Sequence, residues 1–207
     1  MKEKSFSKVI VFVNALVPLV LMLWDVYFHR AGANPLEYVT RTTGMLTLVF
    51  LVSTLAISPI RQITGLNWLI KFRRMLGLFA FFYGFLHLVT YIWFDRFFKL
   101  QTVPADVATR PFIALGMLAF FLMIPLAITS TNNMIKRLGG KSWSQLHKLV
   151  YIAAVAGVLH FWLLVKSDIR LPLTFGFVLL LLLAHRVFVR LYPPGKPAST
   201  TIFSRDT

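Results

Sequence analysis

Two of the chain's five histidines stand in the middle of long apolar runs, and they carry the chemistry this sequence could do. His87 lies in RRMLGLFAFFYGFLHLVTYIWFD and His160 in LHKLVYIAAVAGVLHFWLLVKSD. Ionisable groups are expensive in hydrocarbon, so each such residue is a functional candidate by default. A proton relay would want carboxylate partners, and neither run has one mid-span. The chain has no Cys, which excludes disulfides, iron–sulfur clusters, thiolate metal sites and cysteine nucleophiles. A bound metal would have to take its ligands from five His, seven Met or seven carboxylates. A haem needs one or two neutral imidazoles on facing helices, an apolar pocket for the macrocycle and cations for its propionates. Phe79, Phe81, Phe82, Tyr83, Phe85, Phe161 and Trp162 supply bulk around the pair, and Gly77, Gly84 and Gly157 allow close approach. The competing interpretation is that each histidine only hydrogen-bonds a neighbouring helix and contributes packing.

The other histidines form a second tier. His147 lies 13 residues before His160, a rise of about 20 Å and a rotation of about 220° on a straight helix. The two therefore share one face only if Gly157 or a bulge rotates the helix between them; otherwise they look at different neighbours. The separation suits two stacked redox centres, which makes His147 a candidate for a second, inner haem. Helix three offers Arg73 or Arg74 where a matching histidine would be wanted. His185 lies at a compatible depth as a partner, although the adjacent Arg186 suggests an ordinary snorkelled polar end. His29 falls outside the spans. Met45, Met75, Met117, Met123 and Met134 are scattered among apolar residues and read as core.

The elements that must position these groups follow from composition. Of 207 residues, 57% are apolar and only 14% charged, against about 25% in soluble domains. At this size a water-soluble fold would leave roughly a third of its extended-chain surface exposed, so it could not hide that apolar content. The pattern predicts an all-α polytopic membrane protein, a bundle of six helices each near the ~20 residues a bilayer requires. The expected spans are Val9–Tyr27, Thr43–Ser58, Met75–Phe94, Pro111–Thr129, Leu146–Val165 and Pro172–Tyr192. Pro18 reads as a kink, Pro59 as the end of a short second span, and Pro111 and Pro172 as helix starts. Residues 1–8 form an N-terminal segment, 9–192 the transmembrane domain, and 193–207 a Pro/Ser/Thr-rich tail expected to be disordered.

Charge placement predicts the orientation. With both termini inside, the inner segments hold fifteen of the 22 cations against Glu3 and Asp206, and the outer segments hold seven against five acids. This bias predicts N-in, C-in. It also accounts for the net charge of +15 without nucleic acid, because the cations are dispersed over short loops. The N-terminal run and Ala31-Gly32-Ala33 imitate a secretory signal. However, the apolar stretch is too long, and Asp25, His29 and Arg30 intervene, so an uncleaved first helix is expected. Arg41, Arg61, Arg73, Arg74 and Arg110 at span ends could hold propionates or a flavin phosphate, or simply meet lipid head groups. No nucleotide fingerprint, P-loop or zincin motif is present, so reducing equivalents must come from elsewhere.

The runs LGLFAFFYGFLH, TRPFIALG and W-x-x-L-H-K-L-V-Y, followed by a histidine 13 residues on, together resemble the MsrQ family. With RTTGMLTLVFLVSTLAISPIRQITG the likeness covers about Arg41 to Tyr192, and it places the chain near the wider ferric-reductase-like transmembrane group. The resemblance implies a haem b protein of the bacterial inner membrane, ligated through His87, His147 and His160, with one haem or two. It further implies an FMN, electrons drawn from the quinone pool, and a periplasmic molybdenum-cofactor partner, MsrP, that reduces methionine sulfoxide in oxidised proteins. The chain would then be the electron-transfer subunit rather than the catalytic one. The wider group usually has two histidines on each of two helices, whereas helix three here has only His87. A stand-alone ferric or quinone reductase is the alternative within the same chemistry. A non-redox transporter with structural histidines is the alternative outside it. The outer loops 28–42 and 95–110, with Asp95 and Asp106, are the expected docking surface for a basic partner.

Overall fold

The computed structural model describes residues 2–95 and 99–192, the side chains of 2–5 and 94–95 excepted. The tail, Arg96 and the Asp95 carboxylate therefore lie outside the described residues. Six helical segments are long and apolar enough to cross a membrane: Phe6–Tyr27, Pro35–Thr64, Asn67–Trp93, Pro111–Ile128, Gly140–Leu164 and Arg170–Leu191. The expected count of six is met, and no strand occurs among the described residues.

The helices are α1 (Lys2–Tyr27), α2 (Pro35–Thr64), α3 (Arg73–Thr90), α4 (Val103–Thr109), α5 (Pro111–Ile128), α6 (Asn132–Leu138), α7 (Gly140–Leu146), α8 (Leu149–Leu164) and α9 (Arg170–Leu191). The most extensive pairings are α2 with α3 and α5 with α8; α9 packs on α2 and α8, while α1 touches the bundle lightly. The core lies where these pairs meet, around Leu48, Leu51, Leu55, Ala80, Met123, Ala153, Ala154 and Leu179. Small residues on α8 let backbones approach, the means by which helices associate where lipid removes the hydrophobic drive.

α2 is nearly twice the expected span. It starts earlier because Asn34 caps it, its side chain accepting from Glu37 N–H at 3.2 Å, with Pro35 in the first turn. It also continues through Pro59 to Thr64. Proline has no N–H to give the carbonyl four residues back, here Leu55. That oxygen instead accepts from Arg186 Nη2 of α9 at 2.9 Å. The chain leaves the helix at Gly65, whose φ of 73° is a left-handed cap a side chain would strain.

The fifth span is not one helix. α7 ends at Leu146, His147 and Lys148 form a turn, and α8 begins at Leu149. The interruption between His147 and His160 is this turn, and Gly157 lies within the continuous helix α8. Gly157 instead faces Leu48 of α2, at 3.1 Å from an added Cβ. α1 runs on through Pro18 and is tied in by Tyr83, fully buried, whose hydroxyl donates to the Ala15 carbonyl at 2.7 Å.

Candidate functional site

His87, in the last turn of α3, and His160, near the end of α8, come together from non-adjacent segments. Their rings stand 6.0 Å apart, centre to centre, and are nearly perpendicular at 80°. Each ring is tied down through Nδ1: His87 to the Thr40 carbonyl of α2 at 2.9 Å, His160 to the Phe112 carbonyl of α5 at 2.6 Å. A carbonyl can only accept, so both Nδ1 atoms carry hydrogen and both Nε2 atoms keep their lone pair. No hydrogen bond occupies either Nε2 among the described residues. Imidazole fixed through one nitrogen to a backbone carbonyl is the usual support of a metal-ligating histidine. With metal–imidazole bonds of about 2 Å, two ligating rings stand about 6 Å apart centre to centre. The observed separation fits a bis-imidazole iron site.

The surrounding aromatics are not one pocket. Phe79 and Tyr83 stack on Phe50 of α2, and Phe79 also meets Phe12 of α1. Phe81 stacks on Phe120 of α5, and Phe161 meets Phe175 of α9 edge-on. Phe85 and Trp162 are exposed toward the lipid zone. The expected aromatic wall is therefore distributed between helix contacts and the bundle surface. Gly84 abuts Met123 and Thr47 rather than an imidazole.

The His147 end is arranged differently. His147 Nε2 lies 3.1 Å from Thr129 Oγ1, and its ring packs on Trp143 with centroids 3.9 Å apart. The Thr129 hydroxyl hydrogen is directed to the Pro125 carbonyl at 2.6 Å, so in this contact the imidazole is the donor. Trp143 Nε1 donates to the Thr129 carbonyl at 2.8 Å, completing a joint between α5 and α7. No ring contact joins His147 to His185 among the described residues. His185 Nδ1 is buried without a hydrogen-bond partner. Arg186 is not the snorkelled end its position suggested. It turns inward, donating to Leu55 O and to the Tyr151 hydroxyl, with its guanidinium 4.9 Å over the Tyr151 ring. His29 is exposed in the turn after α1, at φ 55°.

The loop acids expected at a docking surface need a correction as well. Asp106 is only 7% exposed, accepts from the Tyr91 hydroxyl at 2.6 Å and faces Arg110 at 3.7 Å, so it does not present its carboxylate to a partner. The Tyr38 hydroxyl likewise donates to Asp25 at 2.8 Å, and Glu37 pairs with Arg41 at 2.6 Å. What sequence reading missed at the histidine pair is the role of backbone. The Thr40 and Phe112 carbonyls leave no residue-type signal, since any residue at those positions offers the same oxygen.

Two kinds of likeness accompany this geometry. The family of the ferric reductase like transmembrane component matches residues 38–158, a span that contains His87 and His147 and stops two residues before His160. Among curated relatives, the protein-methionine-sulfoxide reductase heme-binding subunit MsrQ of Herminiimonas arsenicoxydans is 51% identical over 188 residues, 90% of this chain and 86% of the relative. The subunit of the same description from Ralstonia nicotianae is 51% identical over 161 residues, 78% of this chain and 74% of its own. That from Azospira oryzae is 43% identical over 202 residues, 96% and 87% respectively.

Proposed function

Since the chain belongs to the MsrQ family of ferric-reductase-like transmembrane proteins, we propose that it is the haem-binding, electron-transfer membrane subunit of a methionine sulfoxide reductase system. The observation that carries this reading is the His87–His160 pair: ring centres 6.0 Å apart, both Nδ1 atoms held by carbonyls, both Nε2 atoms free of hydrogen bonds. A haem b held there supplies a one-electron carrier inside the bilayer. The protein's part is to hold both imidazoles neutral and oriented, and to exclude water with the apolar faces of α2, α3, α5 and α8.

The finer elements of the proposal rest on the family and on charge. Electrons come from the quinone pool and leave to a periplasmic MsrP-like molybdenum-cofactor subunit, with which the chain forms a heterodimer. The cation bias of fifteen to seven supports N-in, C-in insertion in the bacterial inner membrane. That orientation puts the His87–His160 pair in the outer half, nearer the periplasmic partner. His147 is the candidate for a second haem, reached either through Nδ1 or by displacing Thr129 from Nε2. An FMN is carried by the family resemblance alone, and no residue is assigned to it.

The test is the optical spectrum of detergent-purified protein, air-oxidised and dithionite-reduced, with haem quantified per chain. A sharp reduced α band that disappears in both His87→Ala and His160→Ala is expected. A haem-free wild type from haem-supplemented cells, or bands surviving both substitutions, would overturn the proposal. The ferric-reductase likeness favours one second reading, a stand-alone reductase. Fe(III) reduction at full rate by the pre-reduced subunit alone, with no transfer to an MsrP-like partner, would establish it instead.

A further inference from the structure

Both ligand histidines lean on a glycine, and the two glycines occupy the same register. A Cβ built on Gly44 of α2 would stand 3.0 Å from His87 Cε1 and 3.1 Å from its Nδ1. A Cβ built on Gly116 of α5 would stand 2.9 Å from His160 Nδ1 and 3.0 Å from its Cε1. In each case the carbonyl that accepts from the imidazole belongs to the residue four positions earlier, Thr40 before Gly44 and Phe112 before Gly116. Residues at i and i−4 lie one above the other on a helix face. The missing Cβ is therefore what opens the way to that oxygen. We infer that Gly44 and Gly116 are positioning residues for the two haem ligands, each making the space through which an imidazole reaches a main-chain carbonyl; the inference rests on the haem reading above.

The device recurs on two helix pairs whose sequences share little. TRTTG on α2 serves α3, and FIALG on α5 serves α8, with only the glycine in common. Among the described glycines these two alone meet a histidine. Gly77 has open contact with Thr54 at 3.7 Å, and Gly157 meets the flexible tip of Leu48. Carbonyl oxygen has two lone pairs, so it can serve the ring without giving up its helical bond. The bond from Nδ1–H fixes the tautomer that leaves Nε2 for iron and makes the ring a stronger donor. At 2.9 Å an added methyl on Gly116 forces the His160 ring to shift, and at 3.0–3.1 Å one on Gly44 pushes the His87 ring by a few tenths of an ångström; neither ring is a loose side-chain end. Displacing it lengthens the Nδ1–H bond and weakens the ligand.

The experiment compares full-length wild type, Gly44→Ala, Gly116→Ala and Gly77→Ala in detergent. Its readouts are haem affinity by titration into the apoprotein, midpoint potential and the low-spin ferric EPR spectrum. Gly44→Ala and Gly116→Ala should each lower haem affinity about 10–100-fold, the usual effect of losing a supporting contact. Each should also raise the midpoint potential and shift the EPR spectrum, while Gly77→Ala matches wild type. Wild-type affinity, potential and EPR in both Gly44→Ala and Gly116→Ala would overturn the inference while leaving the haem reading intact. If a variant is lost to aggregation, pulsed EPR of wild type labelled with ¹⁵N-histidine decides. A hydrogen-bonded Nδ1–H that exchanges slowly into D₂O is expected on both rings, and ligation through Nδ1 on either ring would overturn it. A wild type without haem would sink the functional reading itself.

Discussion

The two ends of the bundle use the same residue types to opposite purposes. At the His87–His160 end, each imidazole is anchored by a carbonyl on a neighbouring helix, and the nitrogen suited to a metal is left open. At the His147–His185 end, the polar groups repair joints. His147 ties the break in the fifth span to Thr129, and Arg186 satisfies the carbonyl that Pro59 leaves bare in α2. A histidine in a membrane helix is thus not informative by its presence. Which of its nitrogens is already hydrogen-bonded distinguishes a ring with Nε2 left for a metal from one whose Nε2 fastens two helices.

The largest expected effect comes from breaking the first end. His87→Ala or His160→Ala should each abolish the low-spin haem spectrum, because one ligand cannot keep the iron six-coordinate and low-spin by itself. Pyridine haemochrome quantification alongside the reduced spectrum checks this. Full-height α bands in either variant would erase the distinction between the two ends.

Next in size is the Pro59–Arg186 repair. Arg186→Met leaves the Leu55 carbonyl buried without a partner and removes the bond to the Tyr151 hydroxyl, each loss costing about 1–3 kcal/mol. The thermal midpoint should fall, and Pro59→Ala in the same chain should restore much of it by returning an N–H to Leu55. The double-mutant cycle isolates that term, because the two residues act on one oxygen. Additive losses would show that Arg186 serves some other group. The His87–His160 spectrum should not change in any of the three variants.

Thr129→Val is expected to be milder. It removes the acceptor from His147 Nε2–H and leaves one buried donor unsatisfied, at about 1–3 kcal/mol. If the His147 end is only a joint, stability drops and haem per chain is unchanged. If His147 also binds a second haem through Nε2, freeing that nitrogen should raise occupancy of the second site. Counting haem per chain in Thr129→Val and in His147→Ala separates the two, and the His87–His160 bands should survive both substitutions.

How much of this was readable from sequence follows from what sequence encodes. The count of six spans and the approach of His87 to His160 rest on hydropathy, depth and spacing, which survive folding unchanged. The length of α2 was underestimated because Pro59 ordinarily ends a helix, and its rescue by Arg186 comes from 127 residues further along the chain. The start of α2 was readable in Asn34-Pro35 with Glu37 in the first turn, but the weak hydropathy of that stretch hid it. Asp106 looked like a loop acid free to dock; burial under Tyr91 is a tertiary fact with no local signal. Gly44 and Gly116 were present as letters, yet nothing in a single helix says which glycine faces an imidazole.

The smallest effect sharpens the comparison by asking whether the ligand end leans on α1 as well. Tyr83 lies one turn before His87 on α3 and is the buried hydrogen bond to α1, donating to Ala15 at 2.7 Å. Phenylalanine keeps the ring, which stacks on Phe50 with planes 4° apart, and removes only the hydroxyl. The expected cost is about 0.5–1.5 kcal/mol, the net worth of one such bond. At about 2–4 °C per kcal/mol for a chain near this size, a shift of a few degrees is measurable. The reduced spectrum and the midpoint potential should stay at wild-type values. His87 is fixed by α2 through Thr40, whereas α1 meets α3 at Tyr83 and Phe79. A spectral or potential change in Tyr83→Phe would mean that α1 helps set the ligand, and that the ligand end is held by five helices rather than by α2, α3, α5 and α8 alone.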